Sequence, residues 1–207
     1  MKVTVIGAGN MGAAFVKQLS RAGHQVNLVA RDADKAKTLA LPGVNVVAAQ
    51  GAAANADAVI VATPYESAVT ALHSLGDLKG RVVIDITNPL TADYMGLTLG
   101  HNTSAAEEIA RAVPGAEVVK AFNTLFAQVI AEGADFGQGK VASAFVASDS
   151  EQAKKTAKEL AQSLGFAVVD AGGLKNARYL EPLAGLNIYL GYGAGQGTNI
   201  APTWISR

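Results

Sequence analysis

Eight short runs of apolar, largely β-branched residues recur along the chain, separated by Ala/Lys/Glu-rich segments with helical spacing. The runs are 2–7 (KVTVIG), 25–30 (QVNLVA), 44–48 (VNVVA), 57–62 (DAVIVA), 81–87 (RVVIDIT), 117–122 (EVVKAF), 141–147 (VASAFVA) and 167–171 (AVVDA). Helices fit 10–22, 32–39, 65–75, 104–113, 149–164 and 176–192. Strands this continuously apolar suit a sheet buried on both sides. Their alternation with helices predicts an α/β protein, a Rossmann-type doubly wound, mainly parallel sheet of about eight strands with helices on both faces. Segment 150–164 is amphipathic, with Ala153, Ala157, Leu160 and Leu164 on one face; Ser148 or Ser150 can cap it and Gly165 stop it. With no repeat or linker, residues 1–207 are expected to form one domain, 174–207 being a C-terminal helical extension. The longest unassigned piece is 88–103 (NPLTADYMGLTLGHNT), and loops of that length often carry function.

Composition narrows the partners. Lys+Arg and Asp+Glu both total 17, so no net charge drives the chain onto nucleic acid or anionic lipid. With no cysteine there are no disulfides, thiolate metal sites or thiol chemistry. No apolar run approaches the roughly 20 residues of a membrane helix. The opening MKVTVIG already reads as a strand and leaves no room for a leader peptide. The expectation is a cytoplasmic protein acting on small molecules.

The first strand runs into G-x-G-x-x-G, with Gly7, Ala8, Gly9, Asn10, Met11 and Gly12. Gly7 permits the tight turn, Gly9 lets backbone approach a pyrophosphate, and Gly12 lets helix pack on strand. A helix beginning near Asn10 would aim amides and its positive end at the phosphates. The motif follows a strand, opens a helix and precedes a second strand, the context that makes it a dinucleotide fingerprint. The second strand ends Val29-Ala30-Arg31-Asp32, with Lys35 one turn later. NAD enzymes place an acid there for the ribose hydroxyl. Arg31 and Lys35 instead suit a 2′-phosphate and therefore NADP(H), with Asp32 capping the next helix. An ordinary solvated Arg-Asp pair is the alternative.

Ala62-Thr63-Pro64-Tyr65 closes the fourth strand and Asn88-Pro89 the fifth, both at the carboxyl edge where ligands bind in such sheets. Tyr65 could pack against the cofactor, and Asn88 would border the nicotinamide. The sixth strand ends in Asn123-Thr124-Leu125-Phe126, uncharged polar groups flanked by aromatics. They either begin the next helix or seat a second ring. The three histidines are poor acid-base candidates: His24 sits in a turn, His73 on an Ala-rich helix and His101 in the long loop. No metal-ligand spacing occurs. Reducing a ketone needs a proton donor, whereas passing hydride between nicotinamide and a flavin-type ring needs mainly two planes held at short range. Asn123 and Thr124 could bond such a ring's edge, with Leu125 and Phe126 supporting it.

Taken together, VIGAGNMG, Ala30-Arg31…Lys35, Thr63-Pro64-Tyr65, Ser104-Ala105-Ala106-Glu107, VVKAFNTLFA (118–127), VASDSEQAKKTAKELAQSLGF (146–166) and DAGGLKNARYLEPL (170–183) resemble one family over nearly the whole chain. It is the family of NADP oxidoreductases dependent on coenzyme F420, a 5-deazaflavin, which is related to the reductase domain of STEAP metalloreductases. The resemblance implies that Ala8 to Met11 wrap the pyrophosphate and that Ala30, Arg31 and Lys35 hold the 2′-phosphate. It also implies that Tyr65, Val69 and Asn88 line the cleft, that Ala127 closes over it, and that Asn123, Thr124 and Leu125 lie between the two rings. Where the family commonly has Ser, His and Pro, this chain has Ala30, Asn123 and Phe126; STEAP-like relatives share the Asn. FMN or FAD is thus kept beside F420 as the second ring.

Two other readings stay open, a reductase of a small imine or carbonyl and a non-catalytic NADP(H) sensor. In the first, dimerisation would have to supply the missing substrate wall, and a proton donor such as Tyr94, Tyr179 or Tyr189 near the nicotinamide would favour it. The tail glycines at 191, 193, 195 and 197 are expected to break any helix there, and the resemblance places the tail beside the second-ring pocket. The apolar segment 180–190 suits a homodimer interface or an internal core helix.

Overall fold

The structure, a computed structural model, describes residues 1–205. All eight expected strands form: β1 (Lys2–Ile6), β2 (Gln25–Val29), β3 (Val44–Val46), β4 (Ala58–Val61), β5 (Val82–Asp85), β6 (Glu117–Ala121), β7 (Ser143–Ser148) and β8 (Ala167–Asp170). They lie in the order β3-β2-β1-β4-β5-β6-β7-β8. Every neighbouring pair is parallel except β6 and β7. The direction of winding reverses between β1 and β4, so a crevice opens at the carboxyl ends of those strands.

The helices are α1 (Asn10–Arg21), α2 (Ala33–Lys37), α3 (Tyr65–Ser74), α4 (Ala105–Ala112), α5 (Ala127–Glu132), α6 (Glu151–Ser163) and α7 (Ala177–Ile188). The two-residue period of the strands sorts side chains to the two faces. Val3, Val5, Ile60, Ile84 and Val119 meet α1, α5 and α6 through Phe15, Leu19, Ile130 and Leu160. Val59, Val61, Val83 and Val118 meet α3 and α4 through Leu72 and Ile109, joined by Leu174 and Ala177 where α7 begins. Ser150 caps α6 by accepting from the Ala153 amide, and Gly165 follows it at φ 86°.

Two expectations about helices need correction. The short α5 lies outside the six helical segments expected: its six residues carry too little periodicity, and it starts at Ala127 after Phe126 with no capping side chain. The tail glycines do not end α7 as expected: it continues as one π-helical turn, Tyr189–Gly193, containing Gly191 and Gly193. A side chain at Gly191 would collide with the Phe126 ring, so this glycine admits an aromatic neighbour and does not break the helix. The remaining tail folds back, with Ser143 donating its amide to the Pro202 carbonyl and Trp204 lying edge-on to Phe145.

Candidate functional site

The glycine-rich turn is built by contacts that only glycine allows. Gly7 has φ 114° and donates its amide to the Val29 carbonyl at 2.8 Å. A Cβ on Gly7 would strike the Ala62 carbonyl, and one on Gly12 would strike the Gly7 carbonyl. Gly9 differs: its Cβ would meet nothing within 4 Å, so no protein atom demands a glycine there. The space it leaves free lies at the start of α1, whose first turn has no side-chain cap. Gly7 and Gly12 therefore serve the fold, while Gly9 keeps open a cradle of the kind a pyrophosphate fills.

At the far side of the crevice β6 ends abruptly. Phe122 takes φ 59°, a conformation that costs a bulky residue roughly 1–3 kcal/mol. Its ring is buried edge-on between Phe15 and Phe166, at centroid distances of 5.2 and 6.0 Å. This kink turns the chain so that Asn123 and Thr124 reach the crevice wall. The Asn123 amide group donates from Nδ2 to Asn88 Oδ1 and to the Leu180 carbonyl, both at 3.0 Å, and Asn88 Nδ2 donates to the Asn123 carbonyl at 2.8 Å. Asn187 of α7 donates to the Thr124 carbonyl at 3.0 Å. A carbonyl can only accept, so the Leu180 contact fixes the Asn123 amide with Oδ1 facing away from α7.

These strand ends enclose a cleft of about 750 Å³. Its wall includes Gly9, Asn10, Met11, Ala62, Thr63, Pro64, Tyr65, Asn88, Asn123, Thr124, Leu125 and Ala127, which come from four separate segments of the sequence. The loop after β5 adds Leu90, Thr91, Ala92, Tyr94 and Thr98, and α7 with its π-turn adds Ala184, Asn187, Ile188 and Tyr192. Thr63 Oγ1, Thr87 Oγ1, Asn123 Oδ1 and Thr124 Oγ1 are buried there without a hydrogen-bond partner. Four orphaned polar atoms on the ends of three adjacent strands would be costly in a finished core. They fit a flat polar ligand that completes them.

The other expected residues stand apart from this wall. Gly7, Ala8 and Gly12 form the turn behind it, and Val69 of α3 is half-buried against the core on that face of the sheet. Ala30 and Arg31 follow the end of β2 and Lys35 lies on α2, with Arg31 and Lys35 exposed. Asp32 Oδ1 accepts the amides of Asp34 and Lys35, so its carboxylate caps α2 as expected. Asn88 and Asn123 differ from expectation. Both groups of the Asn88 amide face Asn123, and the Asn123 Nδ2 is already committed, leaving only its Oδ1 for a ligand. Among the histidines, His24 bridges the Met1 amino group and Ser163, His73 bonds the Ala112 carbonyl, and His101 is exposed outside the cleft.

Sequence reasoning missed a buried ionic cluster below the cleft. Lys120 and Asp85 are cross-strand neighbours, and both are completely buried. Lys120 Nζ lies 2.7 Å from Asp85 Oδ2 and 2.9 Å from Glu181 Oε1 on α7, and it donates to the Thr87 carbonyl at 2.7 Å. Glu181 in turn accepts the Ala105 and Ala106 amides at the start of α4. Burial acts to lower the Lys120 pKa, but the two carboxylates outweigh it and hold the ammonium above its usual range. Tyr65, on the cleft wall, is pushed upward by burial and by nearby carboxylates including Glu108, Glu181 and Asp85. The available signal was a Lys and an Asp in mid-strand, three residues before Asn123 and Asn88 respectively.

A mainly parallel sheet whose winding reverses between β1 and β4, a glycine cradle and a polar cleft beyond it define a Rossmann-type protein built to bind a dinucleotide. The family model described as "NADP oxidoreductase coenzyme F420-dependent" matches residues 2–89. The F420-dependent NADP reductase of Methanothermobacter thermautotrophicus is 32% identical over 92% of this chain and 89% of its own. A crystal structure from Arthrobacter sp. FB24, named as a candidate F420-dependent NADP-reductase, superposes with a TM-score of 0.85 at 32% identity, over 100% of both chains. The rat metalloreductase STEAP3 is 30% identical over 88% of this chain but only 36% of its own length. The chain belongs to the F420-dependent NADP oxidoreductase family and is an NADP-dependent oxidoreductase.

Proposed function

We propose that this enzyme transfers hydride between NADP(H) and a deazaflavin of the coenzyme F420 type. The observation that carries the reading is the set of orphaned atoms, Thr63 Oγ1, Thr87 Oγ1, Asn123 Oδ1 and Thr124 Oγ1, all uncharged and all lining one cleft. NADPH supplies a hydride, and a deazaflavin ring accepts one. The protein's part is to bind and orient. Gly9 and the amides of Asn10 and Met11 would hold the pyrophosphate, and Arg31 and Lys35 the 2′-phosphate. Asn123 Oδ1 would accept a ring or carboxamide N–H, and the three threonine hydroxyls can donate to or accept from ring edges. Leu125 and Phe126 form an apolar floor, and the Tyr192 ring stands edge-on to Phe126 at 5.6 Å. Tyr65, kept protonated, can donate a hydrogen bond but carries no charge. Holding two planes together in such a site can supply most of the rate.

Among the described residues no helix is long and apolar enough to cross a membrane. We read the enzyme as a cytoplasmic homodimer. The support for pairing is the face of α7 and its π-turn, where Tyr179, Leu186 and Tyr189 stand more than half exposed in one stripe. The test of function is NADPH oxidation with F420, FMN or FAD offered in parallel, followed in each ring's visible absorbance. Turnover with F420 alone supports the reading. Turnover with none, or equal rates with all three, overturns it.

A further inference from the structure

The buried cluster beneath the cleft is not charge-balanced. One ammonium, Lys120, meets two carboxylates, Asp85 and Glu181, all within a side-chain exposure of 2%. The surplus is tolerated because Glu181 also accepts the amides that open α4, where the helix end carries positive partial charge. Asp85 is held as well, its Oδ1 accepting the Thr87 amide at 2.8 Å. Lys120 Nζ lies 2.7 Å from Asp85 Oδ2, an oxygen with no aligned hydrogen bond of its own, and two carboxylates against one ammonium leave a surplus of negative charge in a low-dielectric region where water cannot screen it.

Its position matters for redox chemistry. Lys120 and Asp85 sit three residues before Asn123 and Asn88, directly beneath the cleft wall, and Lys120 is bonded to the carbonyl of Thr87, itself a wall residue. The field reaches the cleft, since Glu181 and Asp85 are among the charges that push the Tyr65 phenol upward.

We propose that the Asp85–Lys120–Glu181 cluster makes the cleft bind oxidised nicotinamide, whose ring is cationic, more tightly relative to the neutral reduced ring than an uncharged floor would. The inference rests on the reading that the nicotinamide occupies the β4–β6 end of the cleft. These three residues touch no cofactor; they act through the potential and through the wall they support. A structural role alone would change the affinity for both nucleotide forms by the same factor.

The test is the ratio of the dissociation constants of NADPH and NADP⁺, measured by calorimetry on the whole protein and on Glu181→Gln. Removing one charge should shift that ratio about tenfold against NADP⁺, the order a unit charge produces at roughly 10 Å through an effective dielectric of about 20. Circular dichroism checks that the variant is folded; if it is not, Asp85→Asn is measured in its place, with the same expected direction. A folded variant whose two affinities fall by equal factors overturns the proposal while leaving the NADP reading intact. Wild-type protein that binds neither nucleotide overturns the NADP reading instead.

Discussion

Asn88 and Asn123 hold each other through their amides: Asn123 Nδ2 donates to Asn88 Oδ1 at 3.0 Å, and Asn88 Nδ2 donates to the Asn123 carbonyl at 2.8 Å. The ends of β5 and β6 are thereby locked, and the Asn123 Oδ1 is presented to the cleft. Asn88→Asp would set a carboxylate oxygen against the Asn123 carbonyl. Unfolding titrations should show a loss of about 1–3 kcal/mol. Turnover should fall further than NADPH affinity if the displaced atom serves the ring end, as proposed, and not the phosphates.

Two glycines of one motif should respond oppositely. Gly12→Ala forces the Gly7 carbonyl to move and should lower the melting temperature sharply. Gly9→Ala has open space for its methyl group and should melt like wild type. Its NADPH affinity should nevertheless fall at least about tenfold, the size of a 1.4 kcal/mol loss, since the methyl group occupies the cradle. Unchanged binding would remove Gly9 from the site.

Arg31 is exposed, and the neighbouring Asp32 is committed to capping α2. Arg31→Asp should therefore weaken NADPH binding far more than NADH binding. Equal losses in a titration with both nucleotides would count against a 2′-phosphate clamp.

Lys120→Met removes the ammonium that lies between two buried carboxylates. Breaking a buried pair in this way typically costs about 3–5 kcal/mol. Chemical denaturation should show a loss of that order, and Lys120→Arg should not restore it fully, because a guanidinium is larger than the space an ammonium fills.

His24 gives the fold a pH dependence. Burial first, and then the Met1 ammonium, lower its pKa below the usual 6.5. The folded state then binds fewer protons than the unfolded chain, so stability rises with pH through this window. The contribution is present above about 6.5, the unfolded value, and is lost as pH falls below it towards the lowered folded pKa. Melting temperatures from pH 8 to 5.5 should decline for wild type and decline less for His24→Gln.

Much of this molecule is legible in its residue pattern. All eight strands follow from β-branched runs, and the capping of α2 by Asp32 and of α6 by Ser150 from short polar side chains placed one step before a helix. Twelve of the expected site residues share one wall because strand carboxyl ends in a doubly wound sheet converge on one edge. What escaped depends on long-range geometry. Lys120 in EVVKAF reads as a strand interruption until Asp85 is found beside it and Glu181 is delivered by a helix 61 positions later. The kink at Phe122 and the shared amides of Asn88 and Asn123 leave no local mark, since each needs partners from elements distant in the chain. The π-turn at Tyr189–Gly193 runs against the helix-breaking tendency of glycine because Phe126 needs the missing side chain.

The most direct measurement follows the hydrogen itself. NADPH carrying deuterium at its transferable position is mixed with F420 and the enzyme in ordinary water, and the reduced deazaflavin is analysed by mass spectrometry and NMR. A cleft that passes hydride straight between two stacked rings delivers the label intact to the deazaflavin ring. Reduced F420 that carries only solvent hydrogen, or labelled NADPH that persists unoxidised, would contradict direct transfer.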